Sequence, residues 1–270
     1  MTVSPQLISS ASNLRIKMLR SLERKKGRNE TGLFLAEGAR LVEQALKAGW
    51  EIDTLVISNS GADLDFVQDL MRRVSGAGAS VLQVPDRLAG SIARKDNPQS
   101  VIAAIRQKPF DLYALESSNQ NLWIGLYECR DPGNLGTILR TADCAGAAGV
   151  ILIEQCCDPY SLEAVRASMG SLFDVSVAKA DFETFEAWRS AVGLTTIAAS
   201  VNGTGSHVDV DFKQPSLILM GNEQKGLPED VEAQCDTLCL IPMRGGADSL
   251  NLAQATAIML YEGWRQRGFA

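Results

Sequence analysis

Apolar residues recur at helical spacing near the start of the chain. Leu14, Met18, Leu19 and Leu22 are separated by basic residues and predict a helix over 13–26. Residues 27–32 read as a turn. A second helix is predicted over 36–48, with Leu41, Val42, Ala45 and Leu46 on its apolar face and Gly49 as its stop. Short β-rich runs at 54–58, 81–84 and 101–105 alternate with helical patterns at 64–74 and 88–93. That alternation implies a small α/β domain. The chain then turns polar, with Pro109, Ser117 and Ser118, and a linker is expected at 108–121 with room for a short helix at 112–115.

Beyond the linker the alternation resumes. Strands are expected at 122–128, 150–153, 173–178, 195–200, 217–220 and 237–241, and helices at 135–145, 162–169, 182–192 and 250–267. Continuous apolar strands between helices argue for a parallel sheet covered on both faces. The expected organisation is an N-terminal domain over 1–107, the linker, and a second α/β domain over 122–270.

Composition narrows the class. At 270 residues and 46% hydrophobic, the chain can bury a sizeable core. No apolar run reaches the length of a membrane span, and residues 1–12 lack a signal pattern. A soluble cytoplasmic protein is the expectation. The six cysteines form no C-x-x-C pair and His207 stands alone, so reduced thiols and no metal site are expected. A net charge of −6 opposes nucleic-acid binding on average. Yet Arg15, Lys17, Arg20, Arg24, Lys25, Lys26 and Arg28 crowd one stretch. A local basic face can bind phosphates within an acidic chain, and a solvated helix face is the competing reading.

Three Gly-rich loops each follow an expected strand. The first, Arg130-Asp131-Pro132-Gly133-Asn134-Leu135-Gly136, opens a helix whose exposed N–H groups suit an anion, although a capped tight turn would read the same. It lacks the Gly-Lys-Ser/Thr ending of a P-loop. Arg140 is expected in the second turn of that helix, near the same end as Asn134. The second loop, 219–228, holds Gly221 and Gly226 around polar residues, with Glu223 near a strand's carboxyl end, where open α/β sheets place ligands. The third, 241–251, leads through Gly245 and Gly246 into the last helix. Asp248 or Ser249 is expected to cap it, with Asn251 in its first turn. A doubly wound domain binding a dinucleotide fits these loops as well.

The segments "RDPGNLGTILRTADCAGAAGVIL", "LILMGNEQKGLP" and "LCLIPMRGGADSLNLAQATAIMLYE" resemble, in order and spacing, the three motifs of the SpoU/TrmH class of SPOUT RNA 2′-O-ribose methyltransferases. The stretch "FLAEGARLVEQALKAGWEIDTLVIS" is similar to that family's small L30e-like substrate-binding domain. The resemblance implies an α/β SPOUT-type catalytic domain with a C-terminal trefoil knot, which general topology rules would not suggest. It implies S-adenosylmethionine as cofactor, a homodimer with composite active sites, and RNA as substrate, ribosomal RNA ahead of transfer RNA. By motif position, Asn134, Arg140, Glu223, Ser249 and Asn251 line the catalytic site. Ser200, Met220, Gly221, Asn222, Gly226, Ile241, Met243, Ser249 and Leu250 hold the cofactor, with Gly221, Ile241 and Leu250 contributing backbone atoms. RNA contact is expected at Arg15, Arg20, Arg24, Lys25, Lys26 and Arg28. A guanidinium scarcely deprotonates, so Arg140 is expected to bind phosphate and stabilise the developing alkoxide rather than act as a base. Two departures stand out: Gln224 where the family commonly has Gly, and Ala253 where many members carry a small hydroxyl residue. The competing classes are a non-catalytic RNA-binding relative, a base-methylating relative, and a nucleotide-dependent oxidoreductase on a Rossmann sheet.

Overall fold

In the computed structural model of the chain, which describes residues 4–94, 99–115 and 122–269, the basic N-terminal stretch forms two helices where one was expected. The first, α1 (Leu14–Ser21), is capped by Asn13, whose Oδ1 accepts the Arg15 N–H at 2.9 Å. The second, α2 (Lys25–Thr31), replaces the expected turn and closes at Gly32. Arg28 fills the break between them. It is only 3% exposed, and its Nη1 donates to the carbonyls of Leu22 (2.9 Å) and Glu23 (2.7 Å). These carbonyls lie just past α1, where no further helical turn supplies donors. Arg28 therefore does not face RNA, as the sequence suggested. Arg20 is half-buried and donates to Ser91 Oγ through Nε at 3.0 Å. Arg15, Lys17, Arg24, Lys25 and Lys26 remain exposed.

The first unit also contains β1 (Gln6–Leu7), β2 (Leu33–Glu37), α3 (Ala39–Lys47), β3 (Ile52–Ser58), α4 (Asp65–Gly76), β4 (Ser80–Val84), α5 (Asp86–Ala93) and β5 (Val101–Arg106). The sheet order is β1-β4-β3-β5-β2. The β1–β4 and β3–β4 pairs are parallel, while β5 runs antiparallel to both β3 and β2. The sequence reading missed β2 and began the following helix too early. Leu33, Phe34, Leu35 and Ala36 are all buried, and a short apolar run beside a helix carries no distinguishing period. Ile16 and Leu19 of α1, with Leu22 just past it, pack with Leu35, Val56, Leu82 and Ile92 in the core of this unit.

The chain continues through β6 (Leu122–Tyr127), α6 (Pro132–Cys144), β7 (Gly149–Ile153), α7 (Leu162–Ala167), β8 (Val177–Ala180), α8 (Phe182–Val192), β9 (Thr195–Ala199), β10 (Gly205–Ser206), β11 (Ser216–Met220), α9 (Glu229–Glu232), β12 (Thr237–Leu240) and α10 (Leu252–Gln266). The segment 112–115 is a turn, not a helix, and the remainder of the expected linker, 116–121, lies outside the described residues. Tyr160–Phe173, which the sequence reading put in the second domain, groups with the first unit. There Tyr160 stacks on Phe34 with centroids 4.5 Å apart, and the Trp50 indole N–H donates to the Phe173 carbonyl at 2.9 Å. Arg166 pairs with the buried Glu37. Consequently the strand expected at 173–178 begins only at Val177.

The second unit carries seven parallel strands in the order β10-β12-β9-β11-β6-β7-β8. Strands β7 and β11 are buried along their whole length, and β6 up to Leu126, as both-face coverage requires. Trp123, Ile151, Phe185, Trp188, Leu217 and Leu219 share one core cluster, while α10 packs on α6, β11 and β6. From β6 the chain steps outward to β7 and β8, then returns on the other side through β9 and β11. The order thus reverses between β6 and β11. In open α/β sheets, ligands bind outside the carboxyl ends of the strands at such a reversal.

The role of Arg28 predicts a clear contrast. Arg28→Ala should lower unfolding free energy by about 1–3 kcal/mol, because two carbonyls lose a charged donor. Lys26→Ala, on an exposed i,i+4 pair with Glu30, should change it by less than about 0.5 kcal/mol. Urea denaturation of both variants checks this.

Candidate active site

The loops after β6 and β11 flank the reversal and are joined through one side chain. Glu223 Oε1 accepts the Asp131 N–H (3.1 Å), the Asn134 amide Nδ2 (3.3 Å) and the Cys129 thiol (3.4 Å). Its Oε2 accepts the Arg130 N–H (3.2 Å) and, more distantly, Asn222 Nδ2 (3.5 Å). Burial works to raise the Glu223 pKa. The N–H groups of Glu223, Arg130 and Asp131 and the Asn134 amide outweigh it and hold the carboxyl below its ordinary value. The Cys129 thiol shifts upward through its hydrogen bond with Cys157 and its burial, so it stays protonated and serves as a donor. Sequence reasoning missed Cys129; its position directly after a buried strand was the only signal.

Asp131 caps α6, accepting the Asn134 N–H at 2.7 Å, and Pro132 occupies the first turn. Asn134 is thereby fixed beside Glu223. Across the site, the expected cap of α10 is corrected: neither Asp248 nor Ser249 caps it. Asn251 does, with Oδ1 accepting the N–H groups of Ala253 (2.9 Å) and Gln254 (3.3 Å). That leaves Asn251 Nδ2 pointing outward, where it donates to Asn134 Oδ1 at 2.8 Å. The orientation of each amide is set by its partners: helix N–H groups to Asn251, Asn251 to Asn134, Asn134 to Glu223. Ala253 contributes its backbone N–H here while its side chain is buried, so the departure at 253 leaves the relay intact.

The second loop is a tight hairpin. Asn222 and Gly226 exchange backbone hydrogen bonds at 3.0 Å each, and Asn222 Oδ1 accepts the N–H groups of Gln224 (2.9 Å) and Lys225 (3.1 Å). Asn222 Nδ2 donates to the Glu128 carbonyl at 2.9 Å. Expected as cofactor contacts, Asn222 and Gly226 have these groups engaged in shaping the loop. Gly221 is required here, since a Cβ would lie 2.3 Å from the Gly226 carbonyl carbon. Gln224 has no positive φ and is exposed, so the hairpin does not demand the glycine common in the family.

Arg140 does not sit near the helix end. It is the ninth residue of α6 and lies about 9 Å along the axis from Asn134. It is exposed and, among the described residues, makes no hydrogen bond or ion pair. The structure thus joins Asn134, Glu223 and Asn251 and leaves Arg140 and Ser249 outside their network. Ser249, Leu250 and Met243 are exposed, Ile241 and Ser200 half-buried, and Met220 buried. Among the described residues, the backbone of 242–250 makes no hydrogen bond to the rest of the chain, which leaves its polar groups open to a ligand. The donor set fits S-adenosylmethionine: main-chain groups of 242–250, beyond the carboxyl end of β12, that make no hydrogen bond among the described residues.

Comparison with known proteins identifies relatives of this chain. Residues 121–261 match the SpoU rRNA Methylase family, and residues 13–103 match an MRM3-like substrate binding domain. The chain is 32% identical to the 23S rRNA (uridine(2479)-2'-O)-methyltransferase of Streptomyces viridochromogenes, over 89% of this chain and 85% of that protein. It is 28% identical to the 23S rRNA (guanosine(2553)-2'-O)-methyltransferase RlmP of Bacillus subtilis, covering 94% and 97% of the two chains. The crystal structure of an AdoMet-bound rRNA methyltransferase from Sinorhizobium meliloti superposes with a TM-score of 0.90 at 42% identity, covering 96% of this chain and 97% of that one. The α/β fold is that of an S-adenosylmethionine-dependent RNA methyltransferase. The chain belongs to the SpoU methylase family.

Because the folded Glu223 pKa lies below the ordinary 4.5, its contribution to stability is complete above that value and is lost as pH falls through the lower folded value. Glu223→Gln should therefore flatten the acid limb of a melting-temperature profile below about pH 4.5 and lower stability at neutral pH.

Proposed function

We propose that this chain transfers a methyl group from S-adenosylmethionine to a ribose 2′-OH of ribosomal RNA, acting as a cytoplasmic homodimer. The observation that carries the reading is the one-directional relay from Asn251 through Asn134 to Glu223, built on three loops at the sheet reversal. The SpoU family match and the ribosomal RNA relatives support the substrate class. We include in this proposal the family's C-terminal trefoil knot and a linker at 108–121 between the two domains.

Bound S-adenosylmethionine supplies an electrophilic methyl on a sulfonium. Ser200, Met220, Gly221, Ile241, Met243, Ser249 and Leu250 would hold it, with Asn222 and Gly226 shaping the loop. The side chains facing the ribose are donors. Asn134 and Asn251 each keep one amide hydrogen outside the relay, and Ser249 keeps its hydroxyl. Glu223 has both oxygens engaged, so it orients Asn134 and is not the base. A cluster of oriented donors stabilises the oxyanion that develops as the 2′-oxygen attacks. Alignment of hydroxyl and methyl supplies much of the remaining acceleration.

Arg140 enters this scheme from the partner subunit. Among the described residues it makes no hydrogen bond or ion pair on α6, the helix against which α10 packs, and it stands outside its own chain's network. Its guanidinium would bind the phosphate beside the target ribose and stabilise the alkoxide. The exposed cations Arg15, Arg24, Lys25 and Lys26 would hold RNA elsewhere through phosphates.

Arg140→Ala should bind S-adenosylmethionine normally and lose methyl transfer. Mixing it with an equally inactive Asn134→Ala variant should restore about a quarter of wild-type sites if subunits exchange, because half the dimers are mixed and each then holds one intact site. No recovery in subunit-exchanged mixtures would place Arg140 and Asn134 in one chain's site. Separately, Arg24, Lys25 and Lys26 together changed to Glu should weaken RNA binding and flatten its dependence on salt, with cofactor affinity unchanged; filter binding across salt concentrations measures both.

A further inference from the structure

Glu232, at the end of α9, is only 9% exposed, and among the described residues no cation pairs with it. A buried carboxylate without a counter-charge is costly unless its oxygens are hydrogen-bonded. Both of them are. Oε1 accepts the Ser200 hydroxyl at 2.5 Å, and Oε2 accepts Asn202 Nδ2 at 2.9 Å. Ser200 Oγ in turn accepts the Asn202 N–H at 3.0 Å, and the Ser200 N–H donates to the Cys239 carbonyl at 2.9 Å. The loop after β9 thus lies directly against β12. At Gly203 the approach is so close that a Cβ would fall 2.4 Å from the Cys239 carbonyl carbon.

These contacts determine how Ser200 can meet a ligand. Its only proton goes to Glu232, and one lone pair is taken by Asn202. Its N–H is given to Cys239 and its carbonyl accepts the Gly203 N–H at 3.2 Å, so a cofactor contact at Ser200 falls to the remaining lone pair of that carbonyl, whose path Glu232 fixes. The strand it lies against, β12, runs on directly into Ile241, and α9 follows directly from the 221–228 loop. One carboxylate consequently ties the segment after β11 to the segment after β9, beside the exit of β12. We propose that Glu232 is a positioning residue for the cofactor pocket: it sets the 200–203 loop so that the backbones of Ser200 and Ile241 are presented together. This rests on the cofactor reading of these loops given above.

The test compares wild type with Glu232→Ala, Glu232→Gln, Ser200→Ala and the Ser200→Ala/Glu232→Ala pair. S-adenosylmethionine Kd is measured by calorimetry, urea midpoints report folding, and kcat and the RNA KM are measured on ribosomal RNA. Removing a hydrogen bond to a charged group predicts a cofactor Kd about tenfold weaker in Glu232→Ala. The RNA KM should stay unchanged, and kcat at saturating cofactor should stay within about twofold of wild type. Glu232→Gln should fall between, since its amide oxygen still accepts from Ser200 while its NH2 opposes Asn202. The double variant should bind cofactor no more weakly than Glu232→Ala alone. A folded Glu232→Ala chain with wild-type Kd, even one of lowered stability, overturns the proposal. If Glu232→Ala does not fold, Ser200→Ala decides: a raised Kd supports the role, an unchanged one overturns it. A wild-type chain that takes up no S-adenosylmethionine would overturn the cofactor reading itself, and this role with it.

Discussion

The loops after β6 and β11 meet at the sheet reversal through the carboxylate of Glu223, and the rest of the site is arranged around that contact. The N–H groups of Arg130 and Asp131 converge on it from one loop, and Asn222 approaches from its own. Burial disfavours the charge, but several donors outweigh that cost and keep the group ionised. With this carboxylate absent, the Arg130 and Asp131 N–H groups would lose their shared acceptor, and Asn134 would lose the partner that orients its amide.

A direction of donation follows. The N-terminus of α10 presents N–H groups, Asn251 accepts them and turns its own amide hydrogens outward, and Asn134 passes the polarity on to Glu223. The helix cap and the start of this relay are thus the same residue. The arrangement favours stabilisation of a developing oxyanion over proton abstraction, which suits attack by a ribose hydroxyl. Arg140, unpaired on the surface of α6 among the described residues, stands outside this relay.

Much of the second unit was legible as periodicity. The runs at 150–153 and 217–220 are buried strands because both faces of the sheet are covered, and a continuous apolar run records that. The three loops were legible as Gly-rich breaks after strands. Other features leave no local trace. Arg28 reads as one more surface cation, yet it closes α1 from inside through contacts five and six residues back. The strand β2 merges with the helix after it because four apolar residues carry no period of their own. Tyr160–Phe173 joins the first unit through Trp50, Phe34 and Glu37, partners more than a hundred residues away. Asn251 as the cap, in place of Ser249, is a two-residue difference that propensity alone does not resolve.

The central claim is that these loops direct a methyl group to a ribose oxygen of ribosomal RNA. It is tested most directly by incubating the purified protein with methyl-labelled S-adenosylmethionine and ribosomal RNA from a strain lacking the gene, followed by digestion to nucleosides. The account predicts label in a single 2′-O-methyl nucleoside. Label on a base, or none in ribosomal RNA while transfer RNA is methylated, would contradict it.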